Sequence, residues 1–156
     1  MITLYHGSNV EINQICLEKC SPYKDFGRGF YLTDIEEQAW QMAVRRTRIA
    51  GEGSPIVSTY TFDEKYLEDS SFKVKVFDSP SEEWALFIIE NRKRNKPHGY
   101  DVIIGPIADD GVAFQLERYS RQMITLETLV KELTYRKLNR QFFFGTELSI
   151  SKLQRI

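Results

Sequence analysis

The sequence predicts one α+β domain. Its 156 residues, 42% of them hydrophobic, suffice for one well-buried core and are too few for two. Stretches with the two-residue period of strands and stretches with helical spacing are both present. They follow one another irregularly rather than in the strict alternation of a doubly wound sheet. No internal repeat or low-complexity tract interrupts them.

Taken in order, Ile2 to His6 is a short apolar strand, and Asn9 to Pro22 is mostly irregular. The stretch DFGRGFYLTDIEEQA, Asp25 to Ala39, reads as loop, strand and helix. Gly27 and Gly29 flank Arg28 and allow positive φ or close approach of the backbone to a ligand. Phe30-Tyr31-Leu32 is bulky enough for a strand. Thr33 and Asp34 are both good N-caps, with Glu36 and Glu37 three residues on, so a capping box can be drawn in either register. The helix carries Ile35, Ala39, Met42 and Ala43 at helical spacing, with Trp40 nearby, and stops at Gly51.

Pro55 to Phe62 and Phe72 to Phe77 alternate as strands. Ser79-Pro80-Ser81-Glu82 is a capping box with proline at the first helical position, opening a helix that carries Trp84, Phe87, Ile88 and Asn91. Tyr100 to Pro106 is a continuous apolar strand of the kind buried on both faces. Asp109 and Asp110 then cap a helix through Phe114, Leu116 and Tyr119. A further helix, Leu126 to Leu138, carries Leu129, Val130 and Leu133. Gln141 to Phe144 is the last strand, and Thr146 caps a final turn before SKLQRI.

Composition limits the partners. Lys+Arg 21 against Asp+Glu 22 gives a net charge of −1, so no global field draws the chain to nucleic acid or to an anionic membrane. Two basic runs, Arg45/Arg46/Arg48 and Arg92 to Lys96, read as solvated helix ends, with a phosphate-bearing partner as the alternative. The chain enters a strand at once, and no apolar stretch approaches the ~20 residues of a membrane span, so a cytoplasmic protein with no membrane partner is expected. Cys16 and Cys20, spaced C-x3-C, are too few for a structural zinc site, and His6 and His98 lie at no usual spacing from them. No metal is expected; reduced thiols are the preferred state and a disulfide stays open.

His6-Gly7-Ser8 at a strand end, followed by Gly27-Arg28-Gly29-Phe30-Tyr31-Leu32 and a helix, resembles the ADP-ribosyltransferase superfamily, in the branch of diphtheria-type toxins and poly(ADP-ribose) polymerases. From YHGSN through DFGRGFYLT and YDVIIGPIADD to QFFFGTELS, the chain also resembles a bacterial family catalogued as a domain of unknown function. The resemblance implies a split antiparallel β-sheet core with flanking helices and NAD as substrate, with no metal. It implies that His6 binds the adenosine ribose, that the Gly7 backbone holds the nicotinamide carboxamide, that Ser8 adds a hydrogen bond and that Tyr31 stacks on the nicotinamide. Arg28 and Gly29 join the binding loop.

Breaking the nicotinamide–ribose bond builds positive charge on the sugar, so positioning and electrostatics carry the work. An imidazole can donate or accept at a sugar hydroxyl, and an aromatic face suits a cationic ring. The third catalytic position departs from the family pattern. Where a glutamate opens the late strand, this chain has Asn139-Arg140-Gln141. Gln141 is the aligned candidate, expected to face the cleft of Tyr31 with Phe142 and Phe144 on the other side; Gln141→Glu is then expected to speed cleavage. Glu147, Asp109 and Asp110 are the substitute acids.

Three readings result. One is an NAD-dependent mono-ADP-ribosyltransferase or NAD glycohydrolase, the toxin of a bacterial toxin-antitoxin pair, with an unknown protein or nucleic-acid acceptor and an antitoxin partner. The second is a catalytically weak NAD- or ADP-ribose-binding regulatory module. The third is a nucleic-acid binder using the basic runs.

Overall fold

A computed structural model describes residues 1–94 and 97–156. The α+β expectation holds, as two sheets with helices around them. The first sheet has the order β1 (Ile2–Ser8), β3 (Ile56–Phe62), β7 (Gln154–Arg155), all antiparallel. The second has the order β2 (Phe30–Leu32), β6 (Arg140–Phe144), β5 (Val102–Pro106), β4 (Val74–Val76). In it β2–β6 and β5–β6 are antiparallel and β4–β5 is parallel, so the purely antiparallel expectation is corrected at one edge. Tyr5 and Thr33 exchange backbone hydrogen bonds of 2.8 and 2.9 Å, which tie the two sheets together where β1 passes the end of β2.

The strand period of two sorts the second sheet into two faces. Val102, Ile104, Phe142 and Phe144 meet Leu4, Tyr60 and Phe62 of the first sheet and form a core between the sheets. Ile103 and Phe143 point the other way, into a core with Trp84 and Ile88 of α2 (Glu82–Lys93), Leu116 of α3 (Asp110–Ser120) and Leu129 of α4 (Leu126–Leu133). Trp84 is fully buried because its indole N–H reaches the Pro106 carbonyl at 3.1 Å.

Helix α1 (Glu36–Ala50) packs on β1 and buries only Ala39 and Ala43. The expected apolar stripe is therefore corrected: Ile35, Trp40 and Met42 are 39%, 46% and 41% exposed. A Cβ on Gly7 would overlap the Ala39 carbonyl oxygen, so backbone meets backbone there and only small residues fit the contact. The expected capping box is absent too. Ile35 is the N-cap with no side-chain bond, and Thr33 Oγ1 instead accepts from the Ile35 N–H at 3.1 Å, closing a turn before the helix. Gly51 ends α1 at φ 69, as a left-handed C-cap.

Other boundaries also move. Helix α2 starts two residues later than expected, because Ser81 rather than Ser79 caps it. The Phe72–Phe77 strand shrinks to β4, with both phenylalanines buried outside it. Helix α4 stops at Leu133, and Tyr135 takes a left-handed φ of 66 just beyond. Asp109 caps α3 as expected, and Thr146 opens α5 (Glu147–Ile150). Among the described residues no helix is long and apolar enough to cross a membrane.

Candidate functional site

His6 is buried at the end of β1, with its ring stacked 4.2 Å from that of Phe30. Its Nδ1 lies 2.7 Å from the Tyr31 carbonyl oxygen. A carbonyl only accepts, so Nδ1 carries the hydrogen and donates it. Burial outweighs this bond and, with Arg46 and Lys24 adding their charge, lowers the imidazole pKa to about 4. At neutral pH the ring is therefore uncharged, and Nε2 holds a free lone pair, an acceptor for a hydroxyl.

Tyr31 sits on the opposite face of β2, across from Phe143, whose ring it meets edge-on at 5.3 Å. Its hydroxyl donates to the Gly27 carbonyl at 2.6 Å and accepts from the Phe26 N–H at 3.0 Å. Burial pushes the phenol pKa well above its ordinary value, so the hydroxyl stays protonated. The ammonium of Lys24 lies over the ring, 5.1 Å from its centroid.

A pocket of about 200 Å³ takes in His6, Ser8, Gly29 and Tyr31, with Lys24 and Arg46 also in its wall. Its lining includes three cations, Lys19 among them, and no carboxylate. Burial and repulsion from Arg46 lower the Lys24 pKa, opposed in part by Asp25. The thiols of Cys16 and Cys20 are free and also line the pocket, and burial raises the Cys20 pKa. A second depression, of about 380 Å³, lies between the end of α3 and the start of α4, lined by Tyr119, Met123 and Thr125 with Lys93 at the end of α2, and takes in none of the candidate site residues.

Gln141 lies outside the pocket lining. It shares the Tyr31 face of the second sheet, with Phe142 and Phe144 on the other face as expected. Its Nε2 donates to Asp25 Oδ2 at 3.2 Å and to the Pro106 carbonyl at 3.3 Å. Asp25 is held in turn by Arg92, whose Nε and Nη2 donate to Oδ1 at 2.9 and 2.6 Å. Gln141 thus ties β6 to the loop that precedes β2.

The family model described as "Protein of unknown function (DUF3990)" matches residues 2–155. The chain belongs to the DUF3990 family. No curated protein and no solved structure matches it significantly.

In this DUF3990 chain the remaining motif residues have local structural jobs. Gly7 is outside the pocket lining, wedged against α1, and a Cβ on Gly29 would run into the Phe143 ring. Ser8 lines the pocket, and its Oγ accepts from the Val10 N–H at 3.3 Å. Arg28 is exposed and donates to the Glu18 carbonyl at 2.7 Å. Asp109 is occupied as the α3 cap, accepting from the Val112 N–H at 2.8 Å. Asp110 is exposed and pairs with Arg45 at 3.6 Å, and Glu147 is exposed in the first turn of α5. None of these three acids lines the pocket.

Among the described residues of the two basic runs, several side chains have partners or positions of their own. Arg46 faces the pocket, Arg45 pairs with Asp110, and Arg92 is held by Asp25; solvated helix ends are corrected for Arg46 and Arg92. Asn95 and Lys96, in the Arg92 to Lys96 run, lie outside the described residues. Among the described residues no three His, Cys, Asp or Glu side chains come together as metal ligands. Sequence motifs give no site role to Lys24 or to Asp25, although Asp25 opens the DFGRGFYLT motif. Their only sequence signal is proximity to Gly27-Arg28-Gly29.

Proposed function

We propose that this protein binds NAD in the His6–Tyr31 pocket and breaks its nicotinamide–ribose bond, as a mono-ADP-ribosyltransferase or NAD glycohydrolase. The observation that carries the reading is the pocket itself. Residues from the two motifs, far apart in sequence, line one cavity whose charged wall residues, Lys19, Lys24 and Arg46, are all cationic. NAD offers sugar hydroxyls for the His6 acceptor, a diphosphate for the cations and a flat ring for Tyr31. At about 200 Å³ the cavity is smaller than the ~300–1,000 Å³ of most ligand pockets, so it suits the ribose end of the dinucleotide and leaves the rest outside.

In the reaction the C1′–N bond breaks and its electron pair goes to nicotinamide, discharging the pyridinium. Water or an acceptor nucleophile then attacks C1′ and releases a proton. His6 would fix the sugar through Nε2, and the Tyr31 ring would hold the departing base. A toxin that modifies a protein or nucleic acid and is restrained by an antitoxin is the form of this activity we favour.

The second reading, NAD or ADP-ribose binding with little turnover, draws on a specific observation. No carboxylate lines the pocket, and the Gln141 amide is engaged by Asp25 and Pro106. Losing one preorganised electrostatic contact costs about 10²–10³ in rate. Incubating the purified chain with NAD and following free nicotinamide tests the first reading. Release that disappears in His6→Ala supports it. Tight, His6-dependent NAD binding by calorimetry without release selects the second.

A further inference from the structure

Lys24 is a half-buried ammonium whose contact is the Tyr31 ring, 5.1 Å away. Among the described residues neither Lys24 nor Arg46 has a carboxylate within 4.0 Å. The nearest acid in sequence, Asp25, has its carboxylate turned to Arg92 and Gln141. Two half-buried cations facing one cavity, with no carboxylate beside either, raise the local potential and favour an anion from outside. Meanwhile the Lys24 ammonium rests on the Tyr31 ring, the surface a cationic base would need.

We propose that Lys24 and Arg46 form a phosphate-binding site at the mouth of the pocket, and that Lys24 swings off Tyr31 to reach the phosphate, uncovering the ring. The lysine arm has four methylenes and can exchange partners without a backbone change. Binding of the anionic and the aromatic parts of one ligand is then coupled. The diphosphate takes the cation away from Tyr31, and the ring becomes free for a flat, positively charged base, which the resident ammonium otherwise repels. This inference deepens the NAD reading and rests on it only for the identity of the base. The anion site itself needs any nucleotide diphosphate.

The test is calorimetric titration of the wild-type chain, Lys24→Ala and Arg46→Gln with four probes: NAD, ADP-ribose, inorganic pyrophosphate and nicotinamide riboside. Thermal unfolding of each variant shows that it is folded. Charge-assisted hydrogen bonds predict that each variant weakens NAD, ADP-ribose and pyrophosphate by roughly ten- to a hundredfold. Nicotinamide riboside, which has no phosphate, should bind Arg46→Gln as it binds wild type, and Lys24→Ala more tightly, because the ring is already clear. If NAD binds both folded variants with wild-type affinity, the anion site is wrong while the NAD reading stands. Equal weakening of all probes, nicotinamide riboside included, also overturns it, since that is loss of the pocket rather than of a charge contact. If pyrophosphate and ADP-ribose bind through Lys24 and Arg46 but nothing carrying nicotinamide does, the anion site stands and the NAD reading fails. If none of the four probes binds wild type, both fail.

Discussion

His6 is held neutral by its surroundings, and this makes stability depend on pH. Its folded pKa of about 4 lies below the ordinary 6.5. Between these values the unfolded chain binds the extra proton, so acid favours unfolding. The contribution is complete above pH 6.5, is lost as pH falls toward 4, and amounts to ~3 kcal/mol at full extent. Urea unfolding at pH 7 and pH 4.5 should show this loss in the wild type and a smaller one in His6→Gln, which has no imidazole to protonate. Gln141 is the other residue whose surroundings decide its behaviour. Replacing its donating amide by a carboxylate in Gln141→Glu sets two acids against each other at Asp25 and turns an acceptor toward the Pro106 carbonyl. We expect this variant to lose about 1–3 kcal/mol at pH 7, rather than simply to gain rate. Repulsion raises the folded carboxyl pKa, so the loss should shrink as pH falls and one of the pair takes a proton. Denaturation at pH 7 and pH 5 reads this directly, and an unchanged midpoint at pH 7 would sink it.

At the scale of elements, the segment from Lys24 to Gly29 is an irregular loop tied down by Asp25 and Phe26. Phe26 is fully buried, its N–H goes to the Tyr31 hydroxyl, and its carbonyl accepts from His98 at 2.7 Å. Asp25 adds the Arg92 and Gln141 ties. Tyr31 therefore lines the pocket and also holds the loop through its hydroxyl. Tyr31→Phe keeps the ring and leaves the buried Phe26 N–H without its acceptor, at a cost of about 1–3 kcal/mol. Chemical denaturation should show that loss, with NAD binding weakened less than in Tyr31→Ala. The contact of β1 with α1 is as intolerant. Gly7→Ala would drive a methyl group into the α1 backbone, which cannot rotate away as a side chain can, so we expect a loss of about 1–3 kcal/mol or more. Thermal unfolding of that variant measures it.

For the whole molecule, the second sheet is the shared wall of two cores. Phe143 faces the helices and Phe144 the first sheet, and both are almost fully buried on adjacent positions of β6. Phe143→Ala and Phe144→Ala should each cost about 3–5 kcal/mol. Because one strand carries both, unfolding followed by tryptophan fluorescence and by far-ultraviolet dichroism should coincide in wild type and variants. Two separated transitions would mean that the cores are independent units.

Short-range patterns in the sequence determined much of the architecture. The α+β class, most strands, the Gly51 helix stop and the Asp109 and Thr146 caps follow from periodicity and from side chains bonding to backbone a few residues away. The candidates His6 and Tyr31 came from the family resemblance that the order of two short motifs carries. Residues 154–155 were not legible as a strand, because two exposed side chains carry no period and pair only once β3 offers an edge. The Thr33/Asp34 capping box failed because Tyr5 claims the Thr33 backbone, a bond 28 residues long in sequence. The placing of Lys24 and Arg46 in the pocket wall and the Asp25–Arg92–Gln141 ties were decided by tertiary structure alone. Each depends on polar groups brought together across 22 to 116 positions, and a charged side chain looks the same in sequence whether it will meet water, a partner or a ligand.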